Sequence, residues 1–216
     1  MQGKNDDFFW PSYVDVMTAL FAVALVIFVL SYKVSNERAK KIEQQNETLK
    51  VYKDAYERIQ KADTLIKSLA NSNIFSYNDI CKKFVIKDFV GEEIFATDKD
   101  IILPQFTNRA LVAGTALDKL IKDIYILTQN RVLVIIEGTT ARYSDGTTYL
   151  ESDLSYSLSY RRALALYQLW RTNGINMRSD KSELLIAGSG FQGVCRDSTE
   201  ENNKRFLIQV IPKIDK

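Results

Sequence analysis

The chain has 216 residues with 29 basic and 27 acidic side chains and no histidine, for a formal net charge of +2. That balance lacks the basic field nucleic-acid binding needs, and the missing imidazole removes the commonest catalytic base and zinc ligand. A slightly negative mean hydropathy at this length fits one soluble domain of ordinary size with an apolar appendage.

The appendage comes first. FFWPSYVDVMTALFAVALVIFVLSYK, residues 8–33, carries no charge from Val16 to Leu30. As a helix, Ser12 to Tyr32 rises about 31 Å at 1.5 Å per residue, the thickness of a bilayer core. Asp6 and Asp7 before the run, a carboxylate within it and no small-residue cleavage site after Leu30 argue against a cleaved signal peptide. The reading is an uncleaved anchor, with residues 1–11 as a tail and 12–32 as the transmembrane helix. Trp10, Tyr13 and Tyr32 bracket it as interfacial aromatics, and Pro11 falls in the first turn, where a missing N–H costs little.

Asp15 has two readings. It lies near enough to the interface to reach headgroup water and do nothing. Alternatively, Asp15, Thr18, Ala19 and Ala22 form a narrow stripe of small and polar residues at i, i+3, i+4 and i+7, while Phe21, Leu25 and Phe28 take other faces. Such a stripe packs against protein. A carboxylate drawn out of water there can take up and release a proton, or pair with a sodium ion, as its surroundings alternate.

W-P-S-Y-V-D-V-M-T-A-L, Trp10 to Leu20, resembles the transmembrane signature of the B subunits of ion-driven rotary motors, the MotB type of flagellar stators. The resemblance implies that Asp15 is the ion-carrying carboxylate for H+ or Na+, with Thr18 one turn along the same path. It also implies a B homodimer inside a ring of multi-span A subunits. One charge crossing about 100 mV is worth about 2.3 kcal/mol, enough to bias a rotation step. Such subunits have a cytoplasmic N-terminus. Lys4 alone precedes the span here, whereas Lys33, Arg38, Lys40 and Lys41 follow it, which by the positive-inside rule favours the opposite orientation. The cytoplasmic N-terminus is kept because the C-terminal half resembles a periplasmic module.

Residues 33–70 lack Gly and Pro and are rich in Lys, Glu and Gln, which predicts a helical stalk. Leu49, Tyr52, Tyr56, Ile59, Asp63, Ile66 and Ala70 recur at alternating spacings of three and four, with Ile42 one heptad earlier. Two readings stay open: a parallel two-stranded stalk carrying the next domain roughly 50 Å from the membrane, or an amphipathic helix packed on its own domain. Residues 71–83, rich in Ser and Asn, read as a joint.

The remainder, 84–216, reads as a compact domain. FVIKDFVGEEIFA (84–96) is rich in strand formers, Gln105 to Gln129 has helical periodicity and RVLVIIEG (131–138) is of buried-strand type. Ser155 to Asn173 is a helix closed by Gly174, and ELLIAGSG (183–190) and RFLIQVI (205–211) are two more strands. The prediction is an α/β sandwich of order β-α-β-α-β-β, with a mixed sheet and helices on one face.

This half resembles the OmpA-like peptidoglycan-binding domain from Phe84 to Pro212. In LSYRRALALYQLWRTNGI, Leu158-Ser159, Arg162-Ala163, Leu166, Trp170 and Gly174-Ile175 fall at that family's spacing. E-G-T-T, Glu137 to Thr140, stands where the family has E-G-H-T-D, and N-K-R-F-L-I, Asn203 to Ile208, resembles its closing N-R-R-V-E-I. The resemblance implies peptidoglycan contacts from Thr140, Arg162, Asn203 and Arg205. A stem peptide exposes both an amine and a carboxylate, so the family grips it with an aspartate and an arginine. Arg162 matches that arginine, or is a solvated helix arginine on a domain that has lost its ligand. The aspartate position is Ala141, the histidine is Thr139 and Lys204 replaces one closing arginine. The loop 142–153 is longer than usual, with Asp145, Glu151 and Asp153 as substitute acids.

Cys81 and Cys195 are the only cysteines, and an oxidising compartment permits either a bridge between them or free thiols. No Cys/His pair, serine triad, phosphate loop or metal spacing marks an enzyme or a resident cofactor. G-S-G-F-Q-G, 188–193, follows a late strand and precedes a loop, so it reads as a turn. The compact tail and the lack of a flagellar-type linker resemble the ZorB subunits of Zorya anti-phage systems more than flagellar MotB. A passive peptidoglycan tether is the competing reading, and the ExbD/TolR type ranks last.

Overall fold

The computed structural model describes residues 9–96, 99–142 and 153–213. The chain forms two units, Met1–Asp54 and Ala55–Lys216.

The first unit is helical throughout its described length. It belongs to helix α1, Phe9–Ala70, which contains a window long and apolar enough to cross a membrane. No Gly or Pro interrupts α1 after Pro11, and Pro11 sits where its absent N–H has no intrahelical partner to lose. The side chains of Ile42, Leu49, Tyr52 and Val51 are exposed.

The second unit begins with the last turns of α1. Ala62, Ile66 and Leu69 are buried in its core, whereas Asp63 is exposed. The heptad pattern selects Ile59, Asp63, Ile66 and Ala70 as the seam. The two patterns share Ile66 and part by one residue on either side of it, because packing on a domain follows a 3.6-residue face and a supercoil follows 3.5. The end of the stretch read as stalk is therefore part of the domain.

Strand β1, Phe75–Asn78, lies inside the segment read as a joint, and pairs antiparallel with β2, Lys83–Ile86. Its FSYN sequence alternates: Phe75 and Tyr77 meet Phe84 with ring centroids 5.8 and 4.7 Å apart. Ser72 Oγ accepts the Ile74 and Phe75 N–H groups and turns the chain from helix into strand. In the hairpin turn Asn78 Oδ1 accepts the Ile80 and Cys81 N–H groups.

After β2 the strand-forming run 84–96 does not stay extended. A 3-10 turn, Lys87–Phe89, and Gly91 at φ 77° redirect it, and among the described residues only a Phe95–Ile102 bridge remains. Helix α2, Pro104–Thr128, starts on proline and ends at Gln129 in the left-handed region. Strand β3, Val132–Gly138, then leads to α3, Asp153–Thr172, β4, Ser182–Gly188, and β5, Phe206–Pro212.

The sheet order is β1-β2-β5-β3-β4, with β3 and β4 parallel and the other pairs antiparallel. Along β3, Val132, Val134 and Ile136 are fully buried while Leu133 and Ile135 are half-buried, so helices cover one face. The result is the expected α/β sandwich with a mixed sheet, extended at its start by β1. Trp170 anchors α3 on α2, its Nε1 donating to Ala110 O at 2.7 Å. Gly138 ends β3 where a Cβ would stand 1.9 Å from Ser159 O, so only glycine lets α3 come this close. Cys81 in the hairpin turn is joined to Cys195 in the β4–β5 loop, with Cα atoms 6.1 Å apart.

Candidate functional site

In the first unit Asp15, Thr18, Ala19 and Ala22 are all exposed along one stripe of α1. The Thr18 hydroxyl donates to Val14 O at 2.7 Å, which satisfies its proton within the helix. Its oxygen lone pairs remain, so beside Asp15 it offers an acceptor one turn away, suited to a hydrated proton or a cation.

In the second unit the motif residues gather at the C-terminal end of β3. Thr139, at the position of the histidine in the resembled pattern, is buried with its Oγ1 2.5 Å from Asn203 O and 3.0 Å from Arg205 O. It knits β3 to the approach of β5. Thr140 is 6% exposed; its N–H donates to Gly190 O at 2.9 Å, and its Oγ1 is buried without a hydrogen-bond partner among the described residues. Asn203 is buried, its Oδ1 accepting the Asp197 N–H at 2.8 Å and its Nδ2 donating to Asp197 O at 3.0 Å. These two bonds hold the loop before β5 in place.

Arg205 donates to Cys195 O at 2.8 Å and stands 3.9 Å from the Asp197 carboxylate. Burial lowers its pKa, Asp197 pushes back and Arg196 adds to the fall. The Thr199 N–H and the Asn202 side chain hold the Asp197 carboxyl below its ordinary value against its own desolvation, with Arg205 helping.

Arg162 lies on α3, where Ser159 one turn before it meets Gly138 and donor Gly190 N–H reaches Ser159 Oγ at 2.9 Å. It is therefore at the same strand end. It is 6% exposed, with Nε donating to Lys99 O at 3.0 Å and the guanidinium 4.7 Å from the Phe95 ring centroid. The solvated-arginine alternative is corrected by this burial: Arg162 is held against the Phe95 ring and the Lys99 backbone. Ala141 is half-buried, and Asp153 is exposed in the first turn of α3. Asp145 and Glu151 lie outside the described residues.

No protein-family model matches the chain, and no curated protein sequence does. Among solved structures it is similar to an outer membrane protein from Borrelia burgdorferi B31, at 19% identity over 63% of this chain and 95% of that one, with a TM-score of 0.39. It is similar to the cell wall anchor of the T6SS from Pseudomonas aeruginosa, at 19% identity, 69% and 96% coverage and a TM-score of 0.37. The periplasmic domain of Helicobacter pylori MotB is similar at 13% identity, 65% and 79% coverage and a TM-score of 0.38.

Three residues of this strand end were not among the predicted contacts. Glu137, the first residue of E-G-T-T, is tied by its Oε2 to Lys83 Nζ across the sheet, with both side chains nearly buried. The pair spans β5 between β2 and β3, a contact that sequence separation hides. Arg196 NH1 donates to Thr140 O at 3.1 Å and its NH2 pairs with Glu200. Their i, i+4 spacing was visible, but in a loop that spacing carries no geometric meaning.

Proposed function

We propose that this chain is the B-type subunit of a proton- or sodium-driven rotary motor of the bacterial inner membrane, anchored to peptidoglycan by its α/β domain. One observation carries the reading: a carboxylate, Asp15, interrupts an otherwise apolar membrane-length helix on a stripe shared with Thr18, Ala19 and Ala22, and the W-P-S-Y-V-D-V-M-T-A-L motif surrounds it. A bare acid on a lipid-facing helix is costly, so the stripe needs protein around it. Two such helices inside a ring of multi-span A subunits meet that need, with Asp15 loading and releasing the ion as the ring turns. The N-terminus is cytoplasmic and the α/β domain periplasmic, binding stem peptides at the end of β3. The lack of a flagellar-type linker favours the Zorya type, with ZorB as B subunit, over flagellar MotB.

The deciding experiment purifies the tagged full chain from membranes with its operon neighbours and measures mass and composition of the detergent complex, wild type beside Asp15→Asn. The expected complex is a ring of multi-span subunits around two copies of this chain. Ion flux is expected in the wild type and absent in Asp15→Asn. A homodimer with no membrane partner makes the chain a passive tether and Asp15 a packing residue.

A further inference from the structure

Helix α1 leads straight into the β1–β2 hairpin. Ser72 Oγ accepts the Ile74 and Phe75 N–H groups, and Lys87 Nζ, just after β2, donates to Ser72 O at 2.7 Å. Tension along α1 therefore reaches β1 first. That strand is a sheet edge of four residues whose ladder partner is β2. In turn β2 shares a single register pair with β5, Phe84 with Ile208, whereas β3 pairs with both β5 and β4 along its whole length, Val132–Gly138. Among the described residues the hairpin is thus the narrowest hydrogen-bonded link between α1 and the inner strands. A short edge ladder pulled from its end opens one bond at a time, and such segments lie at the low end of local stability.

A covalent path avoids that link. Cys81 lies between β1 and β2, and its bond to Cys195 crosses to the β4–β5 loop. There Arg205, at the start of β5, donates from NH2 to Cys195 O at 2.8 Å, and Arg196 NH1 donates to Thr140 O at 3.1 Å, just past β3. Asn203 holds Asp197 in the same loop. Force arriving at Cys195 is therefore divided at once between β5 and β3. Lys83, two residues on from Cys81, adds its nearly buried pair with Glu137 of β3. Both turns make the crossing at a backbone cost: Lys82 at φ 57° and Cys195 at φ 67° occupy the left-handed region, which side-chain-bearing residues hold only where their surroundings fix them.

We infer that the Cys81–Cys195 bond is a tension clip, which passes pull from α1 to the strand end bearing the motif residues without routing it through β2 and its edge with β5. Peeling of the hairpin stops at Cys81. The inference rests on the anchoring reading, because the chain is under tension only when α1 is held in a membrane and the domain on a wall. It gives the bond a task separate from equilibrium stability. Forced opening is governed by the rate at which the weakest link in the path yields, and a covalent bond outlasts any strand ladder.

The test pulls the full chain in detergent between handles coupled by azide–alkyne chemistry at the exposed positions Lys50 and Ser198, which leaves both thiols untouched. Oxidised wild type is compared with wild type in dithiothreitol and with Cys81→Ser/Cys195→Ser, so a folding failure of the variant does not decide the outcome. With the bond intact, the path between the handles runs only through residues 50–81 and 195–198, and extension is expected to end at roughly 120 Å of contour. In the other two samples the stretch is expected to open to roughly 500 Å, in two steps, the hairpin leaving first and at lower force. Oxidised molecules that extend past the short limit overturn the clip. So do reduced molecules whose hairpin stays in place until β3 and β5 separate, because nothing weak is then bypassed; either result leaves the anchoring reading standing. A wild type that fails to co-sediment with sacculi removes the anchoring reading and the tension with it, whatever the pulling curves show.

Discussion

Arg162 shows how a side chain matched by motif acquires a second duty in the folded domain. Its guanidinium stacks on Phe95, which in turn meets Phe206 at 5.5 Å, the β5 residue paired with Gly138. Removing it takes away packing, a cation–π contact and the donor to Lys99 O. Arg162→Ala is expected to lower unfolding free energy by about 2–3 kcal/mol, measured by denaturant titration, and Arg162→Lys to recover little of it, because an ammonium cannot stack and donate from Nε together. Loss of sacculus binding in Arg162→Ala therefore needs that measurement beside it. Glu137 was legible as a motif residue, but its tie to Lys83 arises only when β5 inserts between β2 and β3.

At the scale of elements, α1 is one helix with two environments. No Gly or Pro breaks residues 33–70 on either side of Ala55, so propensity predicts continuity and gives no sign of where the domain begins. Burial makes the distinction: Ile66 is 3% exposed and Leu49 63%. Ile66→Ala is expected to destabilise the domain by about 2–4 kcal/mol through the cavity it leaves, and Leu49→Ala by less than about 0.5 kcal/mol, both read from denaturation of the full chain. An effect of Leu49→Ala on domain stability would place that part of α1 in the domain core. Strand β1 was hidden for a related reason. Four residues among serines and asparagines carry too short an alternation to stand out, and Phe75 and Tyr77 become strand residues only once Phe84 offers a ring surface. The longer elements α2, β3, α3, β4 and β5 were legible because each repeats its period several times.

Across the whole second unit, the Cys81–Cys195 bond closes a separation of 114 residues between the first hairpin and the last loop. A cross-link over so long a stretch removes much of the freedom of the unfolded chain. The Cys81→Ser/Cys195→Ser double variant is expected to be about 2–4 kcal/mol less stable, seen as a lowered melting temperature that reductant no longer changes. Wild-type melting insensitive to reductant, with two thiols alkylated before reduction, would rule the bond out. The same cross-link steadies the loop that bears Arg196, Asp197, Glu200 and Asn203, so the candidate site and the domain's stability share one covalent tie.

By itself the sequence determined the apolar span with its single acid, the long helix behind it, the α/β class and the positions of the motif residues. All of these follow from local periodicity, composition or short spacing, which the chain carries wherever it folds. Only the tertiary structure decided that α1 ends inside the domain, that Arg162 is buried, that Cys81 meets Cys195 and that Arg196 and Glu200 flank Ala141. Those facts depend on which distant segments share a sheet edge or a helix face, and pairing across that distance is set by collective packing of the core, which no local pattern encodes.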